Sequence, residues 1–139
     1  MKVKFNLKVS DIKTSEDISK YVLGIVKLIS RKYNEDSNIS YSEAAQEFDS
    51  NIFETYAPLN HVIQYDIFGF KLTLEKIDTS ESNHDGEPMQ NIYKITDSSG
   101  SVEFMIASVY SSWSDPYYNN KSISLFDCRI KQIKVYTPK

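Results

Sequence analysis

Two histidines and one cysteine are the side chains of this sequence best suited to metal binding or nucleophilic chemistry. His84 lies in a polar, turn-rich stretch together with the carboxylates of Glu81, Asp85 and Glu87. Three carboxylates around one imidazole could bind a divalent cation weakly. Polar residues also collect in solvated loops without any ligand, and we favour that interpretation, so the sequence predicts no metal site.

The remaining candidates for catalysis are equally weak. Cys128 has no histidine in a recognised local signature, and it stands between Phe126 and Ile130 in a strand-like pattern, as a buried structural thiol would. The four glycines are far apart, so they form no phosphate-binding loop, and the sequence has no nucleophile elbow and no His-Glu-x-x-His motif. The sequence therefore predicts a protein that is not an enzyme and needs no cofactor.

The segment 110–120 is the best candidate for a binding site. It contains the only tryptophan, three tyrosines, several hydroxyl and amide side chains and a proline that stiffens it. Rigid aromatic rings with polar tips gain contact area at low entropic cost, and they are typical recognition residues. The predicted binding residues are Tyr110, Ser112, Trp113, Asp115, Tyr117, Tyr118 and Arg129. If the ligand is derived from a nucleotide, Arg129 or Lys131 would contact its phosphate.

An alternative interpretation of the same segment is structural. The rings of Trp113 and Tyr117 could fold back as a lid over the end of the sheet, because aromatic side chains in loops often fill such positions. The sequence alone leaves the binding surface and the lid equally open.

Charge and hydropathy exclude several classes of partner. The chain has 19 acidic and 16 basic residues and a net charge of −3, so no basic excess would drive binding to a phosphate backbone. Residues 42–48 resemble the first helix of a helix-turn-helix, but the following six residues include two acids and no base, so we predict no DNA binding. No stretch approaches about 20 apolar residues, so we predict no membrane span. A start without a signal-peptide core and a single cysteine favour the reducing cytoplasm.

Two amphipathic helices are expected in the first half of the chain. Apolar residues recur at three- and four-residue spacing over 15–33, with Thr14 as a candidate N-cap. A capping-box pattern at Ser40-x-x-Glu43 starts a second helix over about 41–50, which could extend to Phe53.

The remaining segments alternate with the period of strands. We predict strands over 2–9, over 61–77 with a bulge or bend at Gly69, over 92–96 and 102–110 as a hairpin, and over 123–136. The strand 102–110 is apolar on both faces, so we expect it to be central and covered on both sides. The order β-α-α-β-β-β-β predicts a single α+β domain over 1–139, with two helices packed on an antiparallel sheet of about five strands.

The last third of the chain resembles small uncharacterised proteins of tailed bacteriophages. The resemblance rests on the hairpin strand 92–97, the corner Tyr110-Ser111-Ser112-Trp113 and the closing segments 126–130 and 134–136. Pro116-Tyr117-Tyr118 departs from it, since a glycine-rich turn is more usual there. The resemblance implies an accessory phage or prophage product in the bacterial cytoplasm, and many such products bind a host protein.

Three functions remain open at this stage. The first is a non-enzymatic accessory protein that engages a host protein, a class that includes defence proteins, through the aromatic segment and a neighbouring sheet face. The second is a sponge for a nucleotide-like small molecule, with the rings stacked on the base, and the third is a structural phage component. A homo-oligomer is compatible with each of them.

Overall fold

Two helices and a five-stranded antiparallel sheet form the described part of the chain, which confirms the predicted α+β class. The computed structural model describes residues 7–53, 58–80, 88–109, 116–126 and 137–139. Helix α1 spans Ser15–Ile29, helix α2 spans Tyr41–Gln46, and a π-helical segment, Glu47–Ile52, continues α2. The strands have the same order in the sheet as in the chain: β1 (Val62–Ile67), β2 (Phe70–Ser80), β3 (Pro88–Asp97), β4 (Gly100–Val109) and β5 (Ile123–Ser124).

Both helices begin at the predicted N-caps, and a capping box forms at Thr14 as well as at Ser40, where the sequence predicted one. The backbone N–H of Asp17 donates to Thr14 Oγ1 at 3.1 Å, and the Asp17 carboxylate accepts the Thr14 N–H at 3.0 Å. Ser40 and Glu43 make the equivalent pair at the start of α2. Each capping box satisfies backbone donors that have no partner inside the helix.

Helix α1 is shorter than the periodicity predicts, because it ends at Ile29 rather than near Tyr33. Ser30 has an extended backbone, and its hydroxyl donates to Glu47 Oε1 at 2.7 Å while accepting the Lys32 N–H at 3.1 Å. These bonds end the helix and tie its C-terminus to the π-helical segment.

The core lies between the helices and one face of the sheet. Each element contributes the side chains that its period places on one side, and they form a single cluster. Its largest fully buried members are Ile18, Tyr21, Val22, Ile25, Phe48, Phe53, Leu72, Leu74, Tyr93, Ile95, Phe104 and Ile106. We call the face of the sheet that meets the helices the inner face, and the opposite one the outer face.

The predicted long strand over 61–77 is a hairpin, and the expected bend at Gly69 is a complete turn. Phe68 and Gly69 form a two-residue turn with φ angles of 49° and 87°, and β1 pairs back onto β2 from Ile67↔Phe70 to Val62↔Glu75. Paired positions share a face, so odd positions of β1 and even positions of β2 face the helices, which explains the change of phase. A left-handed backbone costs a residue other than glycine roughly 1–2 kcal/mol. The Phe68 side chain is 80% exposed, so little burial of its ring offsets this cost.

Strand β4 is central, as predicted, but only one of its faces is buried. Phe104, Ile106 and Ser108 are buried on the inner face, whereas Met105 and Ala107 on the outer face are half-buried. The described helices all lie on the inner side, so among the described elements the expected cover is found on that face alone.

The expected first strand over 2–9 lies mostly outside the described residues, and its described end is not a strand. Val9–Asp11 forms a short 3-10 helix, because the Val9 N–H donates to Asp97 Oδ2 at 2.9 Å instead of to a neighbouring strand. Asp97 also accepts the Tyr21 hydroxyl at 2.9 Å and the Ser99 N–H at 2.8 Å. Burial opposes ionisation here, but the bonds from Ser99 and Val9 hold the pKa of Asp97 below its ordinary value.

We expect Asp97→Asn to destabilise the protein in a pH-dependent way. The amide cannot accept all the donors that meet the carboxylate, so urea denaturation near neutral pH should show a loss of about 1–3 kcal/mol. Because the folded-state pKa is lowered, this stabilisation is present above an unfolded-state pKa of about 3.9 and is lost as pH falls through the folded value. The difference between the wild type and the variant should therefore narrow in acid, and a difference that stays constant there would contradict the assignment.

Candidate functional site

The structure describes two of the seven predicted binding residues, Tyr117 and Tyr118. They lie in the connection between β4 and β5 and have opposite environments: Tyr117 is 63% exposed, whereas Tyr118 is half-buried against the core. The other predicted positions lie outside the described residues: Tyr110, Ser112, Trp113, Asp115 and Arg129.

Tyr118 anchors the connection to the helical layer. Its hydroxyl donates to Asp49 Oδ2 at 2.5 Å and shares a hydrogen bond of 2.9 Å with the Ser50 hydroxyl. Burial, followed by the charge of Asp49, raises the pKa of Tyr118 well above its ordinary value. The phenol therefore remains protonated at physiological pH and can donate its hydrogen bond to the Asp49 carboxylate.

Asp49 is the centre of this arrangement, although its side chain is only 2% exposed. In addition to Tyr118 it accepts the Asn91 amide N–H at 2.7 Å and the Tyr93 hydroxyl, both on Oδ1. Burial and the charge of Asp49 also raise the pKa of Tyr93. A carboxylate removed from water is costly unless donors replace the solvent, and three side-chain donors do so here.

The π-helical segment places Asp49 at this position. The Phe53 N–H donates to the Phe48 oxygen, five residues earlier, at 3.1 Å. The wider turn brings three consecutive side chains, Glu47, Phe48 and Asp49, to the buried side, which a regular α-helix does not do with its narrower stripe. Such π-helical turns occur frequently at functional sites.

Asn91 extends the hydrogen-bonded group to a fourth element. Its amide oxygen accepts the Thr79 hydroxyl at 2.6 Å, so β2 joins β3, the π-helical segment and the connection after β4. No buried side-chain nitrogen or oxygen among the described residues lacks a hydrogen-bond partner. With its donors protonated and Asp49 engaged by three of them, the group is suited to holding position rather than to proton transfer.

Further bonds fix the backbone of 117–122. Tyr117 and Val109 exchange two backbone hydrogen bonds of 3.0 Å as an isolated antiparallel bridge. The Ser122 hydroxyl caps a turn by accepting the Asn119 N–H at 2.9 Å, and Asn120 Oδ1 accepts the Ser42 N–H at the start of α2 at 3.1 Å. The segment is therefore held by β4 on one side and by the helical layer on the other.

This geometry presents Tyr117 on the outer face of the sheet. Bridged residues share a face, so Tyr117 lies beside Val109, which is 38% exposed and follows Met105 and Ala107 on β4. Ile92 on β3 pairs with Met105 and continues the same strip. We call this set, Tyr117, Val109, Ala107, Met105 and Ile92, the Tyr117 surface.

Sequence reasoning identified the connection between β4 and β5 but did not predict the residues that anchor Tyr118 to the helical layer. Asp49, Ser50, Asn91 and Tyr93 were not among the predicted site residues, and Asp49 counted only as an acid that argues against DNA binding. Asn91 carried a usable signal, because it lies two residues from Met89 and from Tyr93 and therefore faces the core with them.

The groups considered first for chemistry have no role that the structure shows. His61 packs its ring edge against Phe53 at a centroid distance of 6.1 Å, and His84 and Cys128 lie outside the described residues. Within the described ranges, no group of three or more His, Cys, Asp or Glu side chains is arranged to hold a metal ion. The described helices also include none that is long and apolar enough to cross a membrane.

Comparison with known proteins adds no relative. No protein-family model matches the chain, and no curated protein or solved structure matches it either. The site must therefore be interpreted from its own geometry.

We expect Tyr118→Phe to destabilise the fold and the matched change Tyr117→Phe to leave it intact. The first removes the hydroxyl that donates to buried Asp49, at a cost of about 1.5–3 kcal/mol in urea denaturation. The second changes an exposed hydroxyl and should stay within about 0.5 kcal/mol of the wild type. Combining Tyr118→Phe with Asp49→Asn should give a coupling energy above about 0.5 kcal/mol. Equal effects of the two phenylalanine variants, or strict additivity, would contradict the anchor.

Proposed function

We propose that this chain is a non-enzymatic binding protein that engages another protein through the Tyr117 surface. The observation that carries the proposal is the contrast between two adjacent tyrosines. Tyr118 is fixed to a buried carboxylate, and Tyr117 is thereby presented outward with most of its surface exposed. Ordering a side chain before it meets its partner reduces the entropic cost of binding.

The surroundings of Tyr117 favour a protein partner over a small ligand. The apolar side chains of Val109, Ala107, Met105 and Ile92 extend along a sheet face, whereas small-molecule sites are concave and enclose most of the ligand. Tyrosine next to half-buried aliphatic side chains is the composition of an interface hot spot, with the less exposed neighbours excluding water around it. Exposed polar residues, among them Gln90 beside Ala107, would form the rim.

The nature of the partner is the finer part of the proposal. The resemblance of residues 90–137 to tailed-phage accessory proteins implies a bacterial host protein, which would include defence proteins, met in the cytoplasm. That part rests on the resemblance alone, whereas the binding surface rests on the geometry.

A capture experiment with matched variants tests the proposal. The wild type, Tyr117→Ala and Leu59→Ala would be immobilised and exposed to a bacterial lysate, and retained proteins quantified by mass spectrometry. Leu59 is 47% exposed and lies outside the Tyr117 surface, so it controls for loss of an exposed apolar side chain. We expect at least one protein that the wild type and Leu59→Ala retain and Tyr117→Ala loses.

The affinity for a protein identified in this way should fall strongly in Tyr117→Ala. Truncating a hot-spot tyrosine costs about 2 kcal/mol or more, which is roughly a 30-fold increase in Kd measured by titration calorimetry. Both variants should unfold at the same urea concentration as the wild type. If every retained protein binds Tyr117→Ala as tightly as the wild type, the proposal is wrong. If a nucleotide alone raises the melting temperature by several degrees, the proposal is also wrong and a small-molecule sponge is favoured.

A further inference from the structure

A second surface lies at the opposite edge of the sheet, along β1. Within the described ranges this strand pairs only with β2, on one side. Its sequence, Val-Ile-Gln-Tyr-Asp-Ile, holds one charge and no proline or lysine. Natural edge strands normally carry several charged residues, often lysine, or a proline, because these residues prevent pairing with another chain. Strand β1 therefore has the character of a strand that accepts a partner.

The backbone of β1 is oriented for such pairing. In a hairpin with a two-residue turn, the residues that flank the turn exchange both hydrogen bonds, so Ile67, Tyr65 and Ile63 direct their backbone groups toward β2. Val62, Gln64 and Asp66 consequently direct theirs away from the sheet. An antiparallel strand placed there would meet a regular row of donors and acceptors.

The exposed apolar side chains of this region lie at the two ends of the same strand. Val62 is 46% exposed at its start, and Phe68 is 80% exposed in the turn that follows it. Phe68 has a positive φ, which is a genuine outlier for a bulky residue, where asparagine or glycine would be favoured. The hairpin thus holds a ring in solvent at a position where the backbone disfavours it.

We propose that β1 pairs with β1 of a second copy of this chain, around a twofold axis through Tyr65. Around that axis Ile63 meets Ile67 of the second copy, and Tyr65 meets its own equivalent. The two exposed apolar side chains also meet, because Val62 then lies opposite Phe68 of the second copy. The Ile63–Ile67 and Tyr65–Tyr65 contacts lie on the inner face and the Val62–Phe68 contact lies at the ends of the paired strands, and all of them repeat by symmetry.

Charge selects this register over its neighbours. Asp66 is the only charged residue of β1, and the axis through Tyr65 places it opposite the Gln64 amide. An axis through Asp66 would place two carboxylates directly opposite each other, which is destabilising. An axis through Gln64 would place Val62 opposite Asp66 and leave Phe68 opposite Asn60.

A groove lies over the paired residues of β1 and β2, next to the edge of β1 at which the second copy would pair. It has a volume of about 360 Å³ and lies at the level of the paired residues Tyr65 and Leu72. Its lining continues to the pairs on either side, Gln64 with Thr73 and Asp66 with Lys71. The proposal is independent of the Tyr117 surface, which lies on β3, β4 and the connection after β4 and includes no residue of β1.

Light scattering coupled to size-exclusion chromatography tests the association. The wild-type chain should show twice its chain mass at high micromolar concentration and dissociate on dilution. Phe68→Asn should raise the dimer dissociation constant by roughly tenfold or more, and it should raise the melting temperature of the monomer, because asparagine suits the left-handed turn position. Opposite effects on association and on stability exclude general unfolding as the cause. Tyr117→Ala, a truncation of an exposed side chain outside β1, should leave the dimer unchanged.

Cysteine cross-linking tests the register. In a Cys128→Ser background, Tyr65→Cys places two thiols across the axis at a Cα separation near 4.5 Å, within disulfide range. Gln64→Cys places them more than 7 Å apart, beyond that range. Rapid oxidation to a dimer in the first variant only would support the axis through Tyr65, and the reverse would overturn it.

Three results would overturn the proposal as a whole: a wild type that remains monomeric up to millimolar concentration, a dimer whose dissociation constant is unchanged in Phe68→Asn, or a dimer lost in Tyr117→Ala. Tyr117→Ala should dimerise like the wild type. The dimer can therefore fail while the Tyr117 surface binds its partner, and the surface can fail while the dimer forms.

Discussion

A carboxylate taken out of water must be met by hydrogen-bond donors, and in this protein that requirement organises the structure around Asp49. Its donors come from β3 and from the connection between β4 and β5, and Asn91 brings in β2. An apolar side chain at position 49 would pack as well with many arrangements of its neighbours. A buried carboxylate is satisfied only where three specific donors converge, so it gives one arrangement a clear advantage.

The elements of the fold follow from local patterns, and their limits follow from tertiary contacts. Helical spacing, the N-cap Thr14 and the capping box at Ser40 predicted α1 and α2, and alternation predicted the hairpin of β3 and β4. The end of α1 depends on a bond between Ser30 and Glu47, residues far apart in the chain. The alternation predicts a bend rather than a turn at Gly69, because phenylalanine is a poor residue for a left-handed position and Phe68-Gly69 is therefore not a typical turn sequence.

The candidate site shows a different limit of sequence reasoning. Composition identified the aromatic connection, but two adjacent tyrosines are chemically identical in a sequence, and only the bridge to Val109 decides which of them faces outward. Asp49 was overlooked because a π-helical turn departs from the 3.6-residue period on which helical predictions depend. The neighbouring residues Glu47 and Asp49 also resemble an ordinary solvated acidic face.

The long sequence separations within the Asp49 cluster have a consequence for folding kinetics. Its three donors lie 42, 44 and 69 residues from the carboxylate along the chain, and contacts that close such large loops form slowly. The hairpin of β3 and β4 can form early, because its residues are close in the chain. Tyr118 can form its hydrogen bond to Asp49 only after the helical layer has docked on the sheet. The outward ring beside it is therefore a late product of folding, and a partly folded chain would not yet display it.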